Sequence, residues 1–275
     1  MKLILVPTDF TKAGDNALEH ALAIAERSND EVMLLHVQSS QSSKLLKDIG
    51  KLPEELESHL TELCEAANDR TGIKCRFKVV KGDIFEEIND EASDPNYRLM
   101  VIGTHGTRGV RQNLFGADIL KIVRESPLPV IVVPKENEIK NGYGVIVFPY
   151  GGHHTFRNKI NATAFIAELF GSEVHIYSID RPIEEVSHET KLNIANARKI
   201  FTEKNVPFKE IHEKPELYSA GFAKQTINYA EKVNSGLISV MSVASREYNY
   251  ISDSDKEYLI NNAQNIALLM TSDLY

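Results

Sequence analysis

The stretch that decides the fold covers residues 103–134 and reads GTHGTRGVRQNLFGADILKIVRESPLPVIVVP. It places glycines at positions 103, 106 and 116, with nine residues between the second and the third, and it ends in the apolar run PVIVVP (129–134). A short apolar segment, RLMVIG (98–103), leads into it. The order predicts a strand, a glycine-bearing loop, a helix over 116–125 and a second strand, which together form one βαβ unit.

The same alternation extends back to the start of the chain. Between the strand segments lie helical patterns over 11–28, 53–72 and 84–94, with a loop expected at 38–52. Strands separated by helices indicate crossovers and a parallel sheet, and the continuous apolar character of the strands indicates a sheet covered on both faces. The predicted strands of the first half are LILVP (3–7), EVMLLHV (31–37), KCRFKVVKG (74–82), RLMVIG (98–103) and PVIVVP (129–134).

The second half of the chain repeats this pattern after a charged and then glycine-rich segment, 134–144. A repeat of about 140 residues is far too long for a solenoid and indicates an internal duplication. We therefore predict two domains, 1–136 and 143–275. The strands predicted for the second are VIVFPY (145–150), EVHIYSI (173–179), VPFKEIH (206–212), GLISVMS (236–242) and IALLM (266–270).

Composition narrows the class of protein. The 275 residues are 42% apolar and 25% charged, with a net charge of −8, which is typical of a soluble globular protein. Neither half is basic, so we expect no binding to nucleic acid or to anionic membranes. No apolar run approaches the roughly 20 residues of a membrane span. Cys64 and Cys75 lack a metal-type spacing and are expected to be buried or half-buried free thiols in a reducing cytoplasm.

The motifs together resemble a known family. Pro7, Thr8 and Asp9 close the first strand, the spaced glycines follow the fourth, and PVIVVP comes last. This combination resembles the universal stress protein family, whose signature is G-x2-G-x9-G followed by Ser or Thr. The resemblance covers 1–134 and, more weakly, 144–275. It implies an α/β fold with two tandem Rossmann-like domains, each a five-stranded parallel sheet in the order 3-2-1-4-5 with helices on both faces.

A nucleotide site is expected in the first half. Ligands of open parallel sheets bind beyond the carboxyl ends of the strands where the winding reverses, which here would lie between Asp9 and Gly103. Glycine lets the backbone approach a phosphate, and the first amides of the helix at Gly116 favour an anion. Arg108 and Arg111 could add charge-assisted contacts from the loop.

The resemblance implies that the ligand is ATP, with Mg²⁺, or a related adenine nucleotide. It also implies that the residue at Asp9 contacts the nucleotide and that the residue at Val37 contacts adenine through its backbone. The full set of candidate site residues is Pro7, Thr8, Asp9, Val37, Ile102, Gly103, Gly106, Arg108, Gly116, Ala117 and Asp118.

Ala117 departs from the family pattern, because Ser or Thr is usual at that position. Loss of the hydroxyl would cost roughly 0.5–1.5 kcal/mol of binding free energy, and Asp118 would repel a phosphate, so we expect weakened binding. Other interpretations stay open at this point. Asp9 could be a helix N-cap and no more, the glycines could only shape a turn, and the two arginines could be solvated loop charges.

The second half lacks the motif. Gly151 stands in the place of Asp9, residues 242–245 align with 103–106, and Asp253 or a neighbour falls near Ala117. His153 and His154 lie in a predicted surface loop without metal-type partners. We expect this half to bind no nucleotide in the same way and to act as a built-in dimer partner.

Three functions compete. The first is a cytoplasmic stress-response protein that binds ATP and acts as a regulatory or chaperone-like module. The second is an interaction scaffold of the same fold that binds no nucleotide. The third is a slow ATPase, which is the most that is expected of enzyme activity because no evident general base or set of Mg²⁺ ligands is present.

Assembly is expected through the fifth strands. Members of the family pair by these strands, so 129–134 and 266–270 are predicted to pair with each other within one chain as a pseudo-dimer. A homodimer is a further expectation.

Overall fold

The computed structural model describes residues 1–38, 53–104, 116–139, 142–150, 156–179, 186–215, 221–243 and 253–275. In the first half the elements are β1 (Leu3–Pro7), α1 (Lys12–Ser28), β2 (Glu31–Gln38), α2 (Leu56–Thr71), β3 (Cys75–Lys81), α3 (Ile84–Ala92), β4 (Tyr97–Thr104), α4 (Gly116–Glu125) and β5 (Val130–Pro134). In the second half they are β6 (Val145–Pro149), α5 (Phe156–Phe170), β7 (Glu173–Ile179), α6 (His188–Glu203), β8 (Phe208–Glu213), α7 (Phe222–Lys232), β9 (Leu237–Met241), α8 (Asp253–Ile260) and β10 (Ala267–Thr271).

Polar caps and left-handed residues set the helix ends close to their predicted positions. Thr11 caps α1 by accepting a hydrogen bond from the Gly14 amide, and Asn29 ends that helix in the left-handed region with φ 56°. Gly72 ends α2 in the same way with φ 72°. The Asp83 carboxylate caps α3 by accepting hydrogen bonds from two amides of its first turn. The predicted loop at 38–52 lies outside the described residues from position 39 onward.

The described strands form one ten-stranded sheet in the order β3-β2-β1-β4-β5-β10-β9-β6-β7-β8. Each half contributes a parallel block in the order 3-2-1-4-5, which confirms the predicted fold class. The predicted pairing of the fifth strands is present. β5 and β10 pair antiparallel, with Ile131 opposite Leu269. The domain boundaries at 136 and 143 stay a prediction.

Two apolar cores cover the sheet, one on each face, and both run through the two halves. The first core lies under α1, α2, α5 and α6, with Leu60 and Phe201 among its buried residues. The second lies under α3, α4, α7 and α8, with Ile119 and Leu259 among its buried residues. Because each core crosses the β5–β10 seam, the halves pack as parts of one hydrophobic interior. Within the described ranges, no helix combines the length and the apolar character needed to cross a membrane.

Polar contacts reinforce the seam. The Asn137 side chain donates a hydrogen bond to the backbone carbonyl of Asn265 at 2.5 Å, and the Ser272 hydroxyl donates one to the carbonyl of Ser126 at 2.6 Å. Tyr143, which precedes β6, is fully buried, and its hydroxyl hydrogen-bonds with His20 Nδ1 at 2.6 Å. Burial lowers the pKa of His20 to about 4, so this imidazole is neutral at physiological pH. The start of the second half is therefore tied to α1.

A double-mutant cycle tests the seam. Ile131 and Leu269 are buried register partners, so Ile131→Ala and Leu269→Ala should each lower the free energy of unfolding by about 2–5 kcal/mol. Because the two side chains are neighbours, the double variant should depart from the sum by about 0.5–3 kcal/mol in urea unfolding. Val174→Ala, on β7 four strands away from β5, is the control partner and should be additive with Ile131→Ala within about 0.5 kcal/mol. Additivity of the Ile131 and Leu269 variants would contradict the pairing.

Candidate functional site

The winding of the first half reverses between β1 and β4. β1 pairs with β2 on one side and with β4 on the other, with Leu5 level with Met100. Beyond that pair both strands run on, to Pro7 and to Thr104. The carboxyl ends of β1 and β4 thus lie side by side, which is the position where open α/β sheets bind ligands. Of the candidate residues, Pro7, Thr8, Asp9, Ile102 and Gly103 are at this edge.

Asp9 shapes the turn between β1 and α1. Its Oδ1 accepts a hydrogen bond from the Thr11 amide at 3.1 Å and another from the Thr11 hydroxyl at 2.5 Å. Between them, Phe10 adopts the left-handed conformation with φ 62°. Thr11 is the N-cap of α1, so the interpretation of Asp9 as that cap is wrong. Asp9 lies two residues earlier and holds the cap in place through its carboxylate.

Gly103 is required by packing between β4 and α1. A Cβ at this position would lie 2.3 Å from the carbonyl oxygen of Ala13 and 2.9 Å from the Gly14 amide nitrogen. Gly14 also lies close to the turn between β1 and α1, because a Cβ on Gly14 would lie 3.3 Å from Asp9 Oδ1. Gly14 is absent from the sequence-based set of site residues, although a glycine three residues after the helix cap is a usable signal of close approach. Gly103 therefore has a structural reason to be glycine that needs no ligand.

α4 begins at Gly116, the third glycine of the motif. The amino end of a helix carries the positive end of its dipole, which favours a nearby anion. Asp118 lies in this first turn, where its charge suits the helix dipole. Gly106, Arg108 and Arg111, together with His105, lie outside the described residues. The structure thus positions the two flanks of the predicted loop.

Two residues at the end of β2 lie near this edge: the remaining candidate, Val37, and the histidine before it, His36. Val37 is buried in the second core and pairs with Val80 of β3. His36 donates a hydrogen bond from Nδ1 to the Thr8 carbonyl at 3.0 Å, and its ring stacks on Phe10 with centroids 4.9 Å apart. Burial lowers the pKa of His36, so the ring is a neutral support for the β1 turn.

Strand pairing fixes how the two halves correspond. In the first half Ile4 pairs with Leu99, and in the second half Ile146 pairs with Leu237. Ile4 and Ile146 are the second residues of β1 and β6, so Leu99 and Leu237 are equivalent positions of the two fourth strands.

This correspondence corrects the sequence alignment by one residue. Four positions further along, Met241 corresponds to Gly103, whereas the sequence alignment assigned Ser242 to that place. Ser242 corresponds to Thr104, and both hydroxyls are buried without a hydrogen-bond partner in the described part of the chain. Met241 is buried in the first core, so a long side chain occupies the place where the first half has none.

The helix that follows also differs. α8 begins at Asp253. The same correspondence makes Ala267 equivalent to Pro129, so by equal spacing Asp253 and Asp255 lie one residue on either side of the position equivalent to Gly116. This agrees with the expectation that an acid falls near the position of Ala117. A carboxylate at the start of the helix competes with a bound phosphate for the same end of the dipole. Gly151 and the His153–His154 pair lie outside the described residues.

In the second half a buried lysine side chain lies at the carboxyl end of β6, the strand equivalent to β1. Lys159 of α5 donates a hydrogen bond from Nζ to the carbonyl of Pro149, the counterpart of Pro7. The Nζ atom also lies 4.0 Å from the ring centroid of Phe148 and 4.7 Å from that of Phe156. Cation–π contact contributes about 2 kcal/mol at best, whereas burying an ammonium costs several kcal/mol. Desolvation therefore dominates and lowers the pKa of Lys159 well below its ordinary value.

Other concave and acidic regions fit a nucleotide poorly. A cavity of about 470 Å³ lies between the linker and the amino ends of β9 and β10, and Glu136, Glu138 and Glu231 line it. Three carboxylates would repel a polyphosphate. Within the described ranges, no group of three or more His, Cys, Asp or Glu side chains is placed to hold a metal ion. Mg²⁺ commonly uses one or two carboxylates together with substrate phosphates, so this finding leaves Mg–nucleotide binding open.

Comparison with known proteins agrees with this architecture. The family model of the universal stress protein family matches residues 1–134. A universal stress protein of Methanocaldococcus jannaschii is 30% identical over 158 residues, which make up 50% of this chain and 96% of that protein.

Two solved structures extend the likeness to both halves. A universal stress protein from Archaeoglobus fulgidus covers 98% of each chain with a TM-score of 0.72 at 16% identity. A protein of unknown function from Pseudomonas aeruginosa covers 99% of this chain and 92% of its own, with a TM-score of 0.64 at 15% identity. At these identities the likeness shows the fold alone.

Substitution of Gly103 tests its packing role. Gly103→Ala should lower the free energy of unfolding by at least about 1–3 kcal/mol, because the new methyl group would overlap the Ala13 carbonyl. Gly144→Ala is the matched control, since a Cβ there has no heavy atom within 4 Å, and it should change stability by no more than about 0.5 kcal/mol. Equal stability of the two variants in urea unfolding would contradict the close approach.

The pH dependence of stability tests the state of Lys159. The pKa of Lys159 is lowered in the folded chain and is near 10.5 in the unfolded chain. At a pH between these two pKa values, the unfolded chain therefore binds one proton more than the folded chain does. Wild-type stability should therefore rise, relative to Lys159→Met, as pH increases from 7 toward 10, with a slope of at most about 1.4 kcal/mol per pH unit. Lys199→Met, at an exposed position of α6, should show no such relative slope. A constant difference between Lys159→Met and wild type across this range would refute the assignment.

Proposed function

This chain belongs to the universal stress protein family, and we propose that its first half binds ATP or a related adenine nucleotide as part of a regulatory or chaperone-like stress-response module. The observation that carries the proposal is the side-by-side arrangement of the carboxyl ends of β1 and β4 at the winding reversal, with α4 starting at the third glycine of the motif. A cytoplasmic location goes with this proposal.

The proposed ligand has two ends that suit different parts of this edge. The phosphates would bind at the first amides of α4 around Gly116, with Arg108 and Arg111 of the preceding loop as charge-assisted donors. The base would lie toward the end of β2, where the backbone of Val37 offers one donor and one acceptor. This orientation places the acceptor groups of the ligand where the protein has donors.

Asp9 would contact the ribose or the base. A carboxylate accepts hydrogen bonds from hydroxyl and amino groups but repels phosphate oxygens, so the phosphate end is excluded for it. In the described part of the chain, Asp9 Oδ1 accepts its hydrogen bonds from the amide and the hydroxyl of Thr11. The turn therefore holds the carboxylate in one orientation before any ligand binds, which reduces the entropy lost on binding.

One site per chain follows from the differences in the second half. Met241 replaces the glycine of the fourth strand, and Asp253 and Asp255 flank the position equivalent to the glycine that begins α4. Lys159 occupies the end of β6 with its own side chain. The second half would then serve as the fixed partner that covers β5.

Hydrolysis is not part of the proposal, because the described residues present no metal-ligand cluster and no evident base at this edge. Mg²⁺, if bound, would be held mainly by the phosphates themselves. Since the fifth strands already pair with each other, a homodimer would have to use another surface.

Calorimetry tests the nucleotide site. We expect wild-type protein to bind ATP with a dissociation constant in or below the millimolar range, and Gly106→Val and Gly116→Val to lose that binding because a side chain blocks backbone approach. Ala117→Ser restores the hydroxyl usual in the family and should tighten binding by roughly 2- to 13-fold, equivalent to about 0.5–1.5 kcal/mol. Titrations with ADP and AMP show which phosphates contribute.

Gly144→Ala serves as the control for a glycine remote from the site and should bind as the wild type does. If wild-type protein gives no heat with ATP, ADP or AMP at millimolar concentrations, the nucleotide proposal fails and the scaffold of the same fold replaces it. Phosphate release above the buffer rate would show that the site also hydrolyses ATP.

A further inference from the structure

Two cysteines that the proposed function does not use lie in contact. Cys64 is on α2 and Cys75 is the first residue of β3, and their Sγ atoms are 3.2 Å apart. Both are free thiols, and both are more than nine-tenths buried. The separation is only about 1.2 Å longer than the ~2.05 Å of a disulfide bond. The pair is therefore close to bonding distance in the reduced protein.

The local structure builds this proximity. Gly72 ends α2 in the left-handed conformation, which turns the chain back toward the sheet. The Cys75 amide donates a hydrogen bond to Asn68 Oδ1 at 2.6 Å, which ties the start of β3 to the last turns of α2. The Thr71 hydroxyl accepts a hydrogen bond from the Ile73 amide within the same turn. The two sulfurs are thus held together by a defined helix-to-strand connection.

The two cysteines join a helix to an outer strand of the sheet, where a covalent link would restrict local opening. In the order of described strands, β3 stands at the outer end of the sheet beside β2. An outer strand is held on one side only, so it opens more readily than the central strands and admits small molecules. α2 packs on this strand, and the two cysteines lie in the first core between them.

The two thiols are chemically unequal. Cys75 donates its S–H to Cys64 Sγ, which lowers the pKa of Cys64 and raises the pKa of Cys75. The thiolate is the reactive form of cysteine, so Cys64 is the residue that reacts first. Cys75 is then in place as the resolving thiol.

We propose that Cys64 and Cys75 form an oxidisable dithiol that a hydroperoxide converts to an intramolecular disulfide linking α2 to β3. The Cys64 thiolate attacks the terminal peroxide oxygen, the O–O bond breaks, and the sulfenic acid of Cys64 forms as the peroxide leaves as an alcohol or water. The sulfur of Cys75 then attacks the sulfenic sulfur, the S–O bond breaks, and water leaves with the proton of Cys75. The two thiols lose two electrons in total, and the hydroperoxide gains them.

Mass spectrometry of the peroxide-treated protein tests the proposal. Fully reduced full-length protein is exposed to hydrogen peroxide, then unfolded in a thiol-alkylating reagent and weighed intact. We expect both thiols to become unavailable together, with loss of the mass of two hydrogen atoms, and a cross-linked peptide pair containing Cys64 and Cys75. Dithiothreitol should restore both thiols. Peroxide-treated protein with two alkylated thiols, or with oxygen added to single cysteines and no cross-link, would overturn the proposal.

Two further measurements distinguish a disulfide formed within the folded protein from oxidation of exposed thiols after unfolding. Cys64→Ser and Cys75→Ser should each abolish the loss of two hydrogens, and in Cys75→Ser the sulfenic acid of Cys64 should be trapped by dimedone. If the link fits the native structure, oxidised protein should unfold at a higher urea concentration than reduced protein, and the shift should vanish on reduction. A lower midpoint for the oxidised form would show that the disulfide strains the packing of α2 on β3, and would contradict its formation within the native geometry.

Discussion

The antiparallel pairing of β5 with β10 is the contact on which the rest of this molecule depends. All five residues of each strand are buried, so neither strand could stand at an open edge without exposing apolar surface and unpaired backbone groups. Their pairing turns two five-stranded blocks into one sheet with two shared cores. The same pairing makes the strands of the two halves run in opposite directions. Their carboxyl edges therefore lie at opposite ends of the sheet, so the carboxyl ends of β1 and β4 lie far from the carboxyl ends of β6 and β9.

That geometry explains how the halves could diverge. In the first half Gly103 lets β4 approach the first turn of α1, and Asp9 holds the turn that precedes it. In the second half Met241 fills the core at the equivalent position and Lys159 covers the end of β6. The first half therefore presents backbone groups and the Asp9 carboxylate at its carboxyl edge, whereas the second half fills the equivalent positions with the side chains of Met241 and Lys159.

Much of this architecture could be predicted from the sequence, and the reason is burial. Strands covered on both faces are continuous apolar runs, so segments such as PVIVVP are recognisable without alignment, and their alternation with helices predicts a parallel sheet. The strand order within each half was implied by the resemblance to the family. The pairing of the fifth strands was implied by the resemblance to the family, and the apolar character of both strands agrees with it. The free, buried state of Cys64 and Cys75 was also predicted correctly.

Other features depend on three-dimensional packing that no local sequence pattern specifies. LISVM fits the fourth-strand position in more than one register, so sequence alone misplaced the counterpart of Gly103 by one residue, and hydrogen-bonded pairing resolved it. Asp9 and Thr11 are both good caps, and only the left-handed Phe10 between them decides that Thr11 has that role. Lys159 was not expected in a core, because a lysine in a helical pattern normally faces solvent. The contact between Cys64 and Cys75 depends on how α2 crosses β3, which no local pattern specifies.

The central claim is that one half of the chain binds nucleotide while the other supplies its structural partner. Photoaffinity labelling with an azido-ATP probe, followed by peptide mapping, tests it most directly. Labelled peptides should come from residues 1–134 only, and unlabelled ATP should suppress their labelling. Labelling that ATP suppresses equally in residues 145–271 would contradict it.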